Sequence, residues 1–159
     1  MSGSPDALLE KLVADTTDIV KAADGFMYIS FISDVTPELM QNAAGISEAD
    51  YNAYLVAVAS SMAGIGSQAH QIILYQAKSA EAALEVKKIV AGKVNGKDGY
   101  DSMKWICAWP EQSVVVESGE YVLLVASRVD IAEAAVSVFL QMGGNIGEPD
   151  IFYEHTGAH

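Results

Sequence analysis

Two apolar runs, Ser113–Glu117 and Tyr121–Ala126, flank the dipeptide Ser118-Gly119, and few folds accept such a pair. β-Branched and aromatic residues at this density favour strands, and Ser-Gly between them favours a tight turn, so the spacing predicts an antiparallel hairpin. A strand with one wet face alternates apolar and polar residues. Val122–Ala126 is apolar at nearly every position, which suits a strand at the centre of the sheet. Tyr54–Val58 has much the same character and is followed, beyond the glycine-bearing segment 62–68, by Ile72–Tyr75, which predicts a second hairpin. The expected fold is α+β: an antiparallel sheet built from two hairpins at its centre, with an edge strand from the apolar stretch Phe26–Ile32 and helices packed mainly on one face.

The helices announce themselves by capping and period. Ser4-Pro5-Asp6 supplies an N-cap hydroxyl, a proline where no N–H is missed and an acid facing the helix dipole. Leu8, Leu9, Leu12, Val13, Thr16, Ile19, Val20 and Ala23 then recur every three or four residues until Asp24-Gly25. Thr36-Pro37-Glu38 opens a short helix that Gly45 stops, and Ser47–Tyr51 reads as another helical turn. Ser79 caps a helix with Ala83, Val86, Val90 and Val94 on its inner face, ended by Asn95-Gly96, and Glu85 lies three residues before Lys88. Segment 101–108 is expected to make a turn or two before Trp109-Pro110. Asp130 is expected to cap a last helix carrying Ile131, Ala134, Ala135, Val138, Phe139 and Met142 on one face, closed by Gly143-Gly144.

A chain of 159 residues fits one domain, placed at 6–144 between a linker-like remnant at 1–5 and a C-terminal tail at 145–159. With 51% hydrophobic and 19% charged residues it lies outside the composition of disordered chains. Its net charge of −12, from 21 acidic against 9 basic residues, repels a phosphate backbone, so nucleic acid is not an expected partner. Six of the nine basic residues (Lys78, Lys87, Lys88, Lys93, Lys97, Lys104) cluster on the third predicted long element and its exit, where a solvated helix face is the expectation and an anion patch the alternative. No apolar run reaches the length of a membrane-spanning helix.

Residues able to carry chemistry are few. Cys107 is the only cysteine, so no disulfide closes within the chain, and as a nucleophile it would require a lowered pKa and a histidine partner. His70, at the start of a predicted strand, has no motif linking it to Cys107. Glu148, Asp150, Glu154, His155 and His159 gather in the tail without the spacing of a metal site. Gly64 and Gly66 lead into neither a phosphate loop nor a dinucleotide fingerprint, and no nucleophile elbow occurs. Trp105 and Trp109, four residues apart, would share a helix face and could stack on a sugar, or else cover the edge of the sheet. The residues assign no catalytic, cofactor-binding or metal-ligating position, and no cofactor is expected.

The pieces Tyr51–Ser60, Gln71–Lys78 with its following helix, Trp109-Pro110-Glu111 and Glu117–Ser127 make the stretch from about 39 to 139 resemble a family of bacterial lipoprotein-type domains of unknown function. The resemblance implies an extracytoplasmic domain held at the membrane by a lipid anchor on a cysteine upstream of this sequence; a native start at Met1 would imply the cytoplasm instead. The family carries no assigned activity, so no functional residue transfers. The expectation is a non-enzymatic envelope domain that binds a protein, a small molecule or a glycan. The alternatives are a small hydrolase using Cys107 or a carboxylate pair, and a glycan-binding module using Trp105 and Trp109.

Overall fold

The computed structural model describes residues 3–27, 30–35, 46–63, 70–94, 112–143 and 150–154, with the main chain alone at 30, 63, 93, 94 and 150–154. Its strands are β1 (Ser30–Asp34), β2 (Leu55–Ala63), β3 (Gln71–Ala77), β4 (Gln112–Ser118), β5 (Tyr121–Ser127) and β6 (Asp150–Glu154). Its helices are α1 (Pro5–Ala22), α2 (Glu48–Tyr54), α3 (Ala80–Val94) and α4 (Val129–Gly143). All six strands pair antiparallel in the order β1-β2-β3-β5-β4-β6. The class is α+β, and the two predicted hairpins, β2–β3 and β4–β5, supply the four inner strands.

The hairpins join along β3 and β5, where Ile73 faces Leu124 and Leu74 faces Leu123. Ile73, Tyr75, Leu124 and Val115 form one buried cluster with Ala83, Val86 and Val90 of α3 and Tyr51 of α2. Leu74, Leu123, Val125, Val114 and Val116 form a second with Leu9 and Leu12 of α1 and Ala135 and Phe139 of α4. Where the sequence predicts helices mainly on one face, those that follow the two hairpins therefore take opposite faces. This is what β3 and β5 require, because both faces of these strands are apolar and each needs a cover.

Local chemistry explains the boundaries. Ser47 Oγ accepts the Asp50 N–H at 3.2 Å, and Ser79 Oγ accepts the Ala82 N–H at 3.0 Å, each satisfying an orphan donor of a helix first turn. Gly119 has φ +60° and Ser118 pairs with Tyr121, so the turn is Gly119-Glu120, one residue beyond the dipeptide that marks it in the sequence. The Glu120 carbonyl accepts the Ala77 N–H at 2.7 Å, tying this turn to the end of β3.

Several boundaries differ from those the sequence predicts. Tyr54 closes α2 rather than opening β2, and a bulge between Leu55 and Ala57 leaves Val56 exposed. β2 runs on to Ala63, through residues that read as loop. Asp130 does not cap α4: the Ala132 N–H bonds to the Arg128 carbonyl, so Arg128 stands at the cap, and Asp130 lies in the first turn. Of the expected tail, residues 150–154 form β6 against β4. The expected helix from Thr36 and the turns at 101–108 lie outside the described residues.

Of the stretch Phe26–Ile32 expected as a strand, Ser30–Ile32 fall in β1, which runs on to Asp34, while α1 ends in a cap that reaches Gly25. Gly25 N–H donates to Val20 O at 2.8 Å and Asp24 N–H to Lys21 O at 3.0 Å, with Asp24 at φ +61°, the two crossed bonds of a Schellman cap. Gly25 is thereby pressed on α1: a Cβ there would lie 2.8 Å from Val20 Cγ1 and 2.9 Å from Val20 O. Asp24→Gly, relieving a left-handed aspartate, is expected to raise the stability by about 1 kcal/mol. Gly25→Ala is expected to lower it by about 1–3 kcal/mol. Urea denaturation of the two variants beside the parent checks both signs.

Candidate functional site

Among the described residues, several polar side chains able to do chemistry are committed to the fold. Lys87, expected in water, reaches Glu117 Oε2 on β4 at 2.6 Å and is half-buried. Lys78 Nζ donates to the Asn52 carbonyl at 2.6 Å, and Lys88 meets Glu85 at 3.5 Å as the three-residue spacing predicts. These three lysines of the expected cluster thus brace α3 and its approach. Lys97 and Lys104 lie outside the described residues, as do Cys107, Trp105, Trp109, Glu148, His155 and His159. Asp150 and Glu154 stand at the two ends of β6. Among the described residues no group of three His, Cys, Asp or Glu side chains could hold a metal ion.

His70 takes a place the sequence did not disclose. It immediately precedes β3, is 1% exposed, and its Nδ1 is hydrogen bonded at 2.7 Å to Ser127 Oγ at the end of β5. The register brings them together: Gln71 faces Ala126, so the residues just outside that pair meet across the two central strands. A hydroxyl 2.7 Å from an imidazole has the geometry of a nucleophile and its base. Here both are sealed from solvent and from any substrate, since Ser127 is also fully buried. Burial, aided by the positive charge of Arg128, pushes the His70 pKa down to about 4, so the ring is neutral near pH 7. The pair locks the end of the β3–β5 seam. Beside it on the sheet, Gln71 Nε2 donates to Ser60 Oγ at 3.3 Å.

Arg128 organises the neighbouring corner. Its Nε and Nη2 donate to the two carboxylate oxygens of Asp130 at 3.0 Å each, Nη2 also bonds the Phe26 carbonyl, and the guanidinium lies 5.7 Å from the centre of the Phe26 ring. The Arg128 hydrogen bonds hold the Asp130 carboxyl below its ordinary range. These contacts pin Phe26, just past the end of α1, to the start of α4. An open cleft between α1 and α4, lined by Lys11, Asp15, Asp18, Gln141, Ile19, Val138 and Met142, holds a Lys11–Asp15 ion pair at 2.6 Å.

Among the described residues, β1 and β6 are the outer strands of the sheet, and exposed apolar side chains stand at the β1 edge. Phe31 is 68% exposed and Met62, its partner across β2, is 46% exposed, so a large apolar pair stands in water at the rim of the sheet. Ser33 and Asp34 beside them are exposed as well. α3 packs over β3, β4 and β5, away from this rim. The sequence gives no sign of the exposure, because Phe31 sits in an apolar stretch that reads as interior. Among the described residues, fold and site together define an α+β domain with a two-sided core and a partly apolar sheet edge at β1. No family model, no curated protein and no solved structure matches the chain.

The His70 setting has a measurable consequence. The ring's pKa is about 4 in the folded protein against an ordinary 6.5, so folding is favoured fully above pH 6.5 and loses this contribution as the pH falls toward 4. The loss amounts to at most about 3 kcal/mol. Urea denaturation from pH 7.5 to 4 is expected to show a steeper fall for the parent than for His70→Gln, whose side chain does not titrate; parallel curves would remove His70 from the acid response.

Proposed function

We propose that this chain is a non-enzymatic interaction domain of the bacterial cell envelope, working outside the cytoplasm from a lipid anchor supplied upstream. The observation that carries the interaction part is the exposed Phe31–Met62 pair on an edge strand, in a domain whose one described histidine is buried in a structural bond. Apolar side chains of this size held in water on an ordered strand are a standing cost to solubility, and a partner that covers them removes it. The envelope part is supported by the resemblance of residues 39–139 to lipoprotein-type domains. No helix among the described residues is long and apolar enough to cross a membrane, which accords with an anchor made of lipid.

Two measurements test the two parts. Fractionation of cells expressing the complete gene product is expected to place it with the membranes, released by a detergent and labelled by radioactive palmitate; an unlabelled product in the cytosol contradicts the envelope assignment. A photo-crosslinking phenylalanine analogue at position 31 is expected to give a discrete adduct in those cells, while the same analogue at Glu133 on α4 gives none. Equal labelling from both sites, or none from either, contradicts the interaction assignment.

A further inference from the structure

We propose that the open edge of β1 takes up an extended, basic segment of a partner polypeptide as an added strand; the inference rests on the reading of the chain as an interaction domain. The main chain is phased for it. Val35 N–H donates to Val58 O at 2.9 Å, and the register continues through Asp34–Ala59, Ser33–Ser60, Ile32–Ser61 and Phe31–Met62. In an antiparallel ladder, pairs that exchange hydrogen bonds alternate with pairs that do not. Val35, Ser33 and Phe31 therefore turn their N–H and C=O groups toward β2, and Asp34, Ile32 and Ser30 turn theirs outward. No described strand lies on that side. The outward groups are spaced as an incoming strand needs them.

Side chains and charge select the occupant. A strand laid along β1 places alternate residues beside Phe31 on one face and beside Asp34 on the other, so an apolar residue at the first position and Lys or Arg at the second are complementary. These two positions lie three residues apart on the incoming strand. The surroundings are acidic. Exposed Asp34 is followed by Val35, which shares a buried cluster with Ile46 and Tyr51 at the α2 end, and α2 carries Glu48 and Asp50. α1, which packs beside β1, carries Asp6, Glu10, Asp15 and Asp18 against Lys11 and Lys21, and Lys11 is spent on Asp15. Lys78, Lys87 and Lys88 are engaged around α3 and its approach. A second copy of this chain fits poorly, because two bodies of net charge −12 would meet through acidic edges.

Selection of a random-peptide phage library on the folded full chain tests this. The expected outcome is enrichment of peptides with alternating apolar residues and a Lys or Arg three positions from a large apolar one. Synthetic copies should lose affinity at least about tenfold on Phe31→Asp. A similar loss is expected on Asp34→Pro, which deletes an outward N–H and a charge while leaving the β1–β2 bonds in place, and N-methylation at alternate peptide amides should abolish binding. Unchanged melting temperatures certify the two variants; if Asp34→Pro fails to fold, the N-methylated series decides. Enriched peptides indifferent to both variants and to N-methylation would overturn the edge assignment and leave an interaction domain with its surface elsewhere. Enrichment of acidic sequences, or no enrichment, would also overturn it. So would a concentration-dependent dimer lost on Asp34→Pro, which would give the edge to a second copy.

Discussion

The antiparallel pairing of β3 with β5 is the constraint on which the rest of the structure depends. It joins two hairpins that are each local in sequence, and it places strands apolar on both faces at the centre of the sheet. Once this seam exists, neither face can be left to water. α1 and α4 must close one side and α3 with α2 the other, and the remaining strands take the rims. A single covering layer would leave either Ile73 and Leu124 or Leu74 and Leu123 in solvent. At roughly 2 kcal/mol for each such side chain, the named pair alone would cost about 4 kcal/mol, a large part of the roughly 5–15 kcal/mol by which a typical domain is stable.

The end of the same seam absorbs the polar residues that might otherwise look functional. His70 and Ser127 close β3 against β5, Gln71 bonds Ser60, and Arg128 ties the segment after α1 to the start of α4. Each contact answers a structural need created by bringing strand ends, a helix terminus and a buried imidazole to one place. What is left unclaimed is the opposite kind of feature, an apolar pair in water on a strand with outward-facing main-chain groups. This division is the ground on which the proposal of a recognition role stands.

How much of this was legible in the sequence varies with how local the cause is. The β4–β5 hairpin was plain, because Val114–Val116, Tyr121–Ala126 and the glycine at the turn act over a dozen residues. The Ser79 cap and the Glu85–Lys88 pair were equally local. Fully apolar β5 pointed to a central strand, but that helices cover both faces, and which helix covers which, depends on the β3–β5 pairing, a contact between residues some fifty positions apart. The His70–Ser127 bond is hidden for the same reason, since it follows from register and not from any spacing along the chain. Phe31 misled for a different reason: an aromatic residue in an apolar run reads as core, and only its position in the outermost strand puts it in water.

The central claim is that β1 presents an unpaired edge, and amide hydrogen exchange resolved residue by residue in the free protein tests it most directly. Phe31, Ser33 and Val35, whose amides point to β2, should be protected, Ile32 and Asp34 should exchange at close to the rate of exposed amides, and β3 and β5 should be the slowest of all. Strong protection of Ile32 and Asp34 without any partner present would mean that the edge is already covered, and would contradict the account.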